Sequence, residues 1–375
     1  MIRPDTLLKD LIALPSVNPA FLPAGDPNGG EKNVAEFLAG IAAQAGLDID
    51  FQKVLPNRSN LIVRLAPAGK AKSKILLAPH LDTVGAEASG FKPVRQGARL
   101  HGRGACDTKG SVVAMLLALC DLAKSKRRPR ETEIVFAGLI DEENAQAGSR
   151  ALADSGFKAD LAIVGEPTRL QIVTAHKGSL WLRLETRGKA AHGARPELGK
   201  NAVHTMARIV DALETDYAAQ LKKRRHPLLG SGTINVGTIH GGTQPNIVPA
   251  HCSISIDRRT LPGETETGVR REITDFLKRR GLKSSFASEK IAPCLPMETD
   301  FKTPLVRQFL NSAGQRQPVG VHFFCDAAVL AEAGIPSVVF GPGDIAQAHT
   351  ADEWISIPSV ERAQRMLLRF FETLP

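Results

Sequence analysis

Residues 134–144, which read IVFAGLIDEEN, decide the fold. The first seven of these residues form an apolar run with charged residues on both sides, a pattern that predicts a strand buried on both faces. The run ends in Asp141, Glu142 and Glu143, whose charges repel one another unless positive charge lies between them. A strand end of this kind lies at the carboxyl edge of an α/β sheet, where such sheets bind ligands. Two interpretations follow, a metal ligand beside a general base or a solvated acidic turn.

Composition indicates a soluble globular protein. The chain has 375 residues, enough for two domains, with ordinary hydrophobic and charged contents of 43% and 23%. No apolar run is long enough to span a bilayer, and the amino-terminal stretch lacks the apolar core of a secretory signal. The five cysteines are scattered, odd in number and without a C-x-x-C pair. We therefore expect reduced thiols and a cytoplasmic protein with no membrane partner.

The net charge of +9 raises the question of nucleic-acid binding. Basic runs occur at residues 124–130 (KSKRRPR) and 222–226 (KKRRH), and each follows an amphipathic helical pattern. The chain has one tyrosine, and no aromatic residue interleaves either run. Solvated helix ends explain these runs better, so nucleic acid is not an expected partner.

Residues of metal-binding type also follow other predicted strands and loops. His80 comes at the end of a strand, and Asp82, two residues further on, is placed to bond its second ring nitrogen. Glu166 follows another strand, Asp107 lies among glycines just before a helix, and His349 lies in a loop bounded by glycine and proline. Each has an ordinary alternative, such as a surface histidine or a helix-capping aspartate.

The order of predicted elements favours two domains. In residues 1–177 and 293–375, strands alternate with helices, which predicts a mostly parallel sheet with helices on both faces. Residues 178–292 read strand, helix, strand, strand, helix, strand, which is the ferredoxin-like order, and the last strand is predicted at 282–291. The predicted fold class is therefore α/β, with an inserted α+β domain.

Six side chains fall at one sheet edge in this arrangement: His80, Asp107, Glu142, Glu143, Glu166 and His349. Nitrogen and oxygen ligands without thiolate suit zinc, cobalt or manganese. Five ligands exceed the usual three that protein supplies to one catalytic zinc, so two ions sharing a bridging carboxylate fit better. One acid, Glu142 or Glu143, is then left to remove a proton from water.

The chain resembles, over nearly its whole length, the dinuclear-zinc amidohydrolases that include acetylornithine deacetylase, succinyl-diaminopimelate desuccinylase, aminoacylase and glutamate carboxypeptidase. The matching blocks are, in order, PHLDTV, GRGACDTKG, DEEN, GEPT, AHGARPELGKNA, PNIVP, DRRTLPGE and QAHTADEW. The resemblance implies hydrolysis of the amide bond of a small N-acyl amino acid or peptide, closest to the acetylornithine deacetylase type. Asp326 after Cys325 departs from that type, so desuccinylase, aminoacylase and carboxypeptidase remain alternatives.

The resemblance also implies roles for these residues. Two divalent ions, with zinc expected first and cobalt or manganese as alternatives, would be held by His80 and Glu166 on one side, by Glu143 and His349 on the other, and by Asp107 between them. Asp82 would orient His80, and Glu142 would be the general base. The peptide bond between Asp107 and Thr108 would be cis.

The inserted domain resembles the lid and dimerisation domain of the family. His192 would reach the active site of the partner subunit and stabilise the oxyanion, so we expect a homodimer. Asn246 and Arg259 would hold the substrate carboxylate, for which the planar fork of arginine is suited. The adjacent Arg258 would face away, and we predict that it is a surface residue.

Overall fold

A computed structural model of the protein describes residues 2–287 and 294–375. The chain divides into two compact units. Unit 1 comprises Met1–Thr174, Glu298–Val319 and Cys325–Pro375, and unit 2 comprises Ala175–Met297 and Gly320–Phe324. The predicted domain boundary between residues 292 and 293 lies outside the described residues. Within the described ranges, no helix combines the length and apolar character needed to cross a membrane.

The helices begin where the sequence supplies initiation signals. Proline lies in the first turn of three of them, and Asn201 and Thr265 cap two others by accepting a backbone N–H. The α-helices of the described chain are α1 (Pro4–Ala13), α2 (Lys32–Gln44), α3 (Gly110–Lys124), α4 (Ala147–Asp154), α5 (Ala202–Ala212), α6 (Ala218–Lys223), α7 (Glu266–Arg279), α8 (Pro304–Ala313), α9 (Ala327–Glu332) and α10 (Ile357–Phe371).

Within the described residues, the strands form three sheets. They are β1 (Asp48–Leu55), β2 (Arg58–Leu65), β3 (Ser73–Pro79), β4 (Val94–Gln96), β5 (Arg99–His101), β6 (Thr132–Gly138), β7 (Leu161–Gly165), β8 (Val173–His176), β9 (Gly178–Arg187), β10 (Thr233–Gly241), β11 (His251–Thr260), β12 (Ser285–Phe286), β13 (Met297–Glu298), β14 (Val319–Val321), β15 (Ser337–Val339) and β16 (Trp354–Ser356). The strands of three residues or fewer are too short to show a sequence period, and most of them were not predicted.

The large sheet of unit 1 is parallel at its centre. Its nine strands include the run β1-β2-β6-β3-β7-β15, in which the pairs β6–β3, β3–β7 and β7–β15 are parallel. Ile134 and Phe136 pack in a core with α1, α2, α3, α8 and α10. The alternate residue Val135 is also fully buried, and α4 and α9 contact β1, β7 and β15 on its side. The prediction of a mostly parallel sheet with helices on both faces is confirmed.

Unit 2 contains an antiparallel sheet in the order β10-β11-β9-β12. Its chain order β9-α5-β10-β11-α7-β12 confirms the predicted ferredoxin-like arrangement, and α6 is an addition after α5. The apolar faces of α5 and α7 cover one side of the sheet. The predicted last strand is present at Ser285–Phe286, and residues 288–291 of that prediction lie outside the described residues.

The prediction that Arg258 is a surface residue is wrong. Its side chain is fully buried, and Nη2 donates to Oε1 of Glu264 over 2.7 Å. Strand alternation explains the error, because Arg258 points toward the helix-covered side of β11 and Arg259 points to the other side. The carboxylate of Glu264, six residues later, compensates the charge there.

Candidate dinuclear metal centre

Three neighbouring parallel strands deliver the acids and the first histidine to one edge. His80 follows β3, Glu142 and Glu143 come shortly after β6, and Glu166 follows β7. The β6–β3 pairing continues past the strand ends, where the N–H of Leu139 donates to the carbonyl of Pro79 over 2.9 Å. Because parallel strands end at the same edge, these side chains converge as the sequence predicted.

Asp107 lies at the centre of the cluster, with one carboxylate oxygen toward each imidazole. Its Oδ1 lies 3.2 Å from Nε2 of His80, and its Oδ2 lies 3.4 Å from Nε2 of His349. The same nitrogen of His349 lies 3.1 Å from Oε2 of Glu143, and Nε2 of His80 lies 3.9 Å from Oε1 of Glu166. The ligand atoms of His80, Asp107 and Glu143 lie within 4.8 Å of one another, as do those of His80, Glu142 and Glu166.

Asp82 holds the first histidine and the acidic turn together. Nδ1 of His80 lies 3.0 Å from the carbonyl oxygen of Asp82 and 3.5 Å from its Oδ1. The two carboxylate oxygens of Asp82 also accept the backbone N–H groups of Glu142 and Glu143, each over 3.1 Å. Asn18 adds a 2.7 Å bond from Nδ2. The fixed Nδ1 partner leaves Nε2 of His80 facing the cluster.

The loop before α3 presents Asp107 in a constrained shape. The Asp107–Thr108 peptide is cis, as the resemblance implied, and Oγ1 of Thr108 donates to the carbonyl of Gly165 over 2.8 Å. Gly104 has φ of +78°, and a Cβ there would come within 2.8 Å of the Thr83 methyl. A larger residue would therefore displace the loop.

Glu353 anchors the same loop from a distant part of the chain. One carboxylate oxygen accepts the N–H groups of Cys106 (2.7 Å) and Asp107 (2.9 Å). The other accepts the N–H of Gly104 (2.9 Å) and Nη1 of Arg103 (2.7 Å). Glu353 is 2% exposed, so these four bonds form away from water. Sequence reasoning did not select Glu353, although it lies within the QAHTADEW block.

The electrostatics show acids that are crowded and buried. Burial, together with the carboxylates of Glu166, Asp326 and Glu143, raises the pKa of Glu142 well above its usual value. Burial and its carboxylate neighbours likewise raise the pKa of Glu166. Hydrogen bonds to Asp107 and Glu143 raise the pKa of His349 to about 10. For Asp107, burial opposes ionisation, but the two imidazoles outweigh it and lower the pKa.

The donor set fits a pair of divalent cations. Four carboxylates and two imidazoles, without a thiolate, are the ligands of hard or borderline ions. Asp107 offers one oxygen to each side, as a bridging ligand must. The positive charge of two ions would also compensate the buried acids.

The three remaining predicted residues belong to unit 2. The backbone of His192 pairs with that of Ile247, and the N–H of Gly193 donates to the carbonyl of Asn246 over 2.7 Å, so His192 and Asn246 lie on adjoining loops. Nδ1 of His192 accepts the N–H of Ala194 over 3.1 Å. Arg259 lies near the end of β11, where its Nε donates to Oδ2 of Asp257 over 3.0 Å.

Two further hydrogen-bond networks in unit 1 were not predicted from the sequence. Arg58 donates to Glu31 and to Asp141, and Asn18 bonds Asp141 as well as Asp82. The first acid of the DEE triplet is thus part of the scaffold. Asp326 is buried and accepts the hydroxyl of Ser149 over 2.6 Å. The signals for these contacts are dispersed over the sequence, so only the tertiary structure shows them.

Comparisons with known proteins agree with this geometry. The model of peptidase family M20/M25/M40 matches residues 76–373. An acetylornithine deacetylase of Myxococcus xanthus is 30% identical over 340 residues, covering 87% of both chains, and one of Edwardsiella ictaluri is 30% identical over 373 residues, covering 96% of this chain and 95% of its own. The solved structure of aminopeptidase PepT from Bacillus cereus has a TM-score of 0.78 at 23% identity, covering 99% of this chain and 97% of its own.

A second solved structure shares the fold. The YXEP protein of Bacillus subtilis, described as a dinuclear metal-binding peptidase, has a TM-score of 0.73 at 12% identity. It covers 98% of this chain and 96% of its own length. At this identity the likeness concerns the fold alone.

Proposed function

Because the chain belongs to peptidase family M20/M25/M40, we propose that it is a metal-dependent amidohydrolase that cleaves the acyl group from an N-acyl amino acid. The observation that carries this proposal is the placement of Asp107, whose two oxygens face His80 and His349. We assign His80 and Glu166 to one metal ion, Glu143 and His349 to the other, and Asp107 to both.

Glu142 is the proposed general base. It lies beside the ligand cluster, and no N–H or O–H group among the described residues donates to its carboxylate, so the carboxylate is free to take a proton. When bound, divalent ions would lower the pKa of a water molecule and polarise the amide carbonyl. Glu142 would remove the proton of that water and later deliver it to the leaving amine. Its burial, which disfavours the charged form, suits a group that must both take and return a proton.

We assign the substrate contacts to unit 2. Arg259 and Asn246 would bind the substrate carboxylate, and His192 would stabilise the oxyanion. We propose that unit 1 is the catalytic domain and unit 2 the lid and dimerisation domain. A His192 that serves the neighbouring site requires a homodimer.

The substrate proposal follows the relatives. Those that are 30% identical are named acetylornithine deacetylase, so N-acetylornithine is the first substrate to test, and a role in arginine synthesis would follow. The alternative is a desuccinylase, aminoacylase or carboxypeptidase, which Asp326 keeps open. We propose zinc as the native metal and the cytoplasm as the location, the latter supported by cysteines that are scattered along the sequence, odd in number and without a C-x-x-C pair.

The test combines metal loading with one substitution. Metal-stripped protein should be inactive on N-acetylornithine, N-succinyl-diaminopimelate and N-acyl amino acids, and zinc, cobalt or manganese should restore activity. Glu142→Gln should lower kcat by about 10²–10⁴-fold while the protein still binds two ions per chain. The exposed Glu332→Gln serves as the control. Near-normal turnover of Glu142→Gln would exclude Glu142 as the base, and a metal-loaded wild type inactive on every substrate would refute the proposed function.

A further inference from the structure

Lys177 is a buried cation that the proposed function has not used. It lies between β8 and β9 and is only 6% exposed. Its Nζ donates one bond, to the carbonyl of Ser231 over 2.7 Å. An ammonium group has three donors, so the described residues account for one of them.

The strand register places Lys177 on the same sheet face as Arg259. Arg259 pairs with Ser179, two residues after Lys177, and side chains two apart in an extended chain point to the same side. Oγ of Ser179 donates to Oδ1 of Asp257 over 2.9 Å, so these residues share that face. Lys177 is therefore a diagonal neighbour of Arg259, about 7–8 Å away between Cα atoms and within reach for two long side chains.

Residues 320–324 also lie near Lys177. The backbone N–H of Lys177 donates to the carbonyl of Val321 over 3.2 Å, which places His322 beside it. The guanidinium of Arg259 lies 5.8 Å from the ring centre of Phe324. Burial and the guanidinium groups of Arg258 and Arg259 lower the pKa of Lys177, which agrees with positive groups on several sides.

The acids near this cluster are already engaged. Asp257 pairs with Nε of Arg259 at 3.0 Å, and Glu264 pairs with Arg258 at 2.7 Å. Among the described residues, no carboxylate forms an ion pair with Lys177. With Nε occupied, Arg259 still presents its two terminal nitrogens. Among the described residues, the end of this sheet face thus carries donors for an anion and no unpaired carboxylate to neutralise them.

We propose that the ammonium of Lys177 and the guanidinium of Arg259 together bind the carboxylate of the substrate. This inference rests on the proposed function and adds Lys177 as a binding residue. One carboxylate can accept bonds from both groups, and charge-assisted bonds are the stronger ones. Lys177 would act on substrate affinity and on the choice of carboxylate over amide substrates.

The experiment is a substrate and variant comparison on the metal-loaded full chain. Lys177→Met should lower kcat/KM for an N-acetyl amino acid by about tenfold or more, mainly through KM, because a hydrogen bond to a charged group is lost. The same variant should change kcat/KM for the matching N-acetyl amino acid amide less than twofold. Lys177→Arg should retain most of the affinity, and the exposed Lys189→Met should match wild type.

A binding measurement separates this inference from the proposed function. The free amino acid and its amide are each titrated into wild type and into Lys177→Met in a calorimeter. The variant should bind the free amino acid more weakly than wild type does, and the two proteins should bind the amide equally. Equal losses for carboxylate and amide, or no loss in either assay, would overturn the role of Lys177 and leave hydrolysis intact. If the wild type hydrolysed no amide, the proposed function would fail, and unchanged carboxylate binding by Lys177→Met would then overturn the inference separately.

Discussion

Replacing Glu353 by glutamine tests whether the loop carrying Asp107 is held from outside the metal cluster. The change keeps the size of the side chain and removes its charge. Two donors approach each oxygen of Glu353, at 2.7 and 2.9 Å in both cases. An amide keeps one acceptor oxygen, and its NH₂ group would then face two donors. One pair of bonds is lost in either orientation.

The expected destabilisation follows from burial. If the lost pair includes Arg103, which is 7% exposed, a guanidinium is left without its carboxylate in the interior. Breaking a buried ion pair by altering one partner costs about 3–5 kcal/mol. If the lost pair is the backbone donors of Cys106 and Asp107, two bonds of about 1.5–3 kcal/mol each give a similar total. The free energy of unfolding should therefore fall by about 3–5 kcal/mol.

Urea unfolding of metal-free Glu353→Gln, followed by circular dichroism, measures this loss. Competition with a chromophoric chelator on the folded variant should also show metal affinity reduced by about 10–100-fold, because Asp107 is less well positioned. Glu87→Gln, an exposed change in the same unit, should match wild type in both measurements. A loss below about 1 kcal/mol with unchanged metal affinity would refute the anchoring role of Glu353.

Two further changes test other parts of the molecule. Asp82→Asn, which removes the charge beside Nδ1 of His80, should weaken metal binding by about 10–100-fold in chelator competition, and binding within twofold of wild type would contradict this. His176 is fully buried, and burial lowers its pKa from 6.5 to about 4. The unfolded chain therefore binds a proton at this histidine at higher pH than the folded chain does. The contribution of neutral His176 to the free energy of unfolding is complete above pH 6.5, and it falls by about 3 kcal/mol on acidification to pH 4. In unfolding titrations, the stability gap between wild type and His176→Gln should narrow by that amount from pH 7 to pH 4, and parallel curves would contradict it.

The features predicted from sequence were those that local pattern determines. His80, Glu142 and Glu166 each follow an apolar run, and parallel strands bring such residues to one edge. The ferredoxin-like order of unit 2 was predicted because each element is long enough to show its period. The strands β4, β5 and β16 have three residues each, and the pairing of β16 with β5 joins segments distant in sequence.

The features that sequence did not predict depend on contacts between distant segments. Glu353 lies 246 residues from Asp107 along the chain, and Arg58 lies 83 residues from Asp141. No local period connects such pairs. Arg258 is a different case, because strand alternation requires that one of two adjacent arginines point inward. Recognising Glu264 as its partner would have allowed the correct prediction.

The way the acids are bonded distinguishes a reactive cluster from a structural one. Asp82 and Asp107 receive hydrogen bonds from side chains or backbone of the chain itself, and these interactions lower their pKa. Glu142 and Glu166 lie in the same cluster, and within the described residues no N–H or O–H group donates to either carboxylate. Burying a charged acid without donors is costly, so a purely structural network would pair all of its members. The donors of the chain itself bond the acids that shape the site. The carboxylates of Glu142 and Glu166 therefore remain available to water and to a metal ion, respectively, as a metal-dependent amidohydrolase requires.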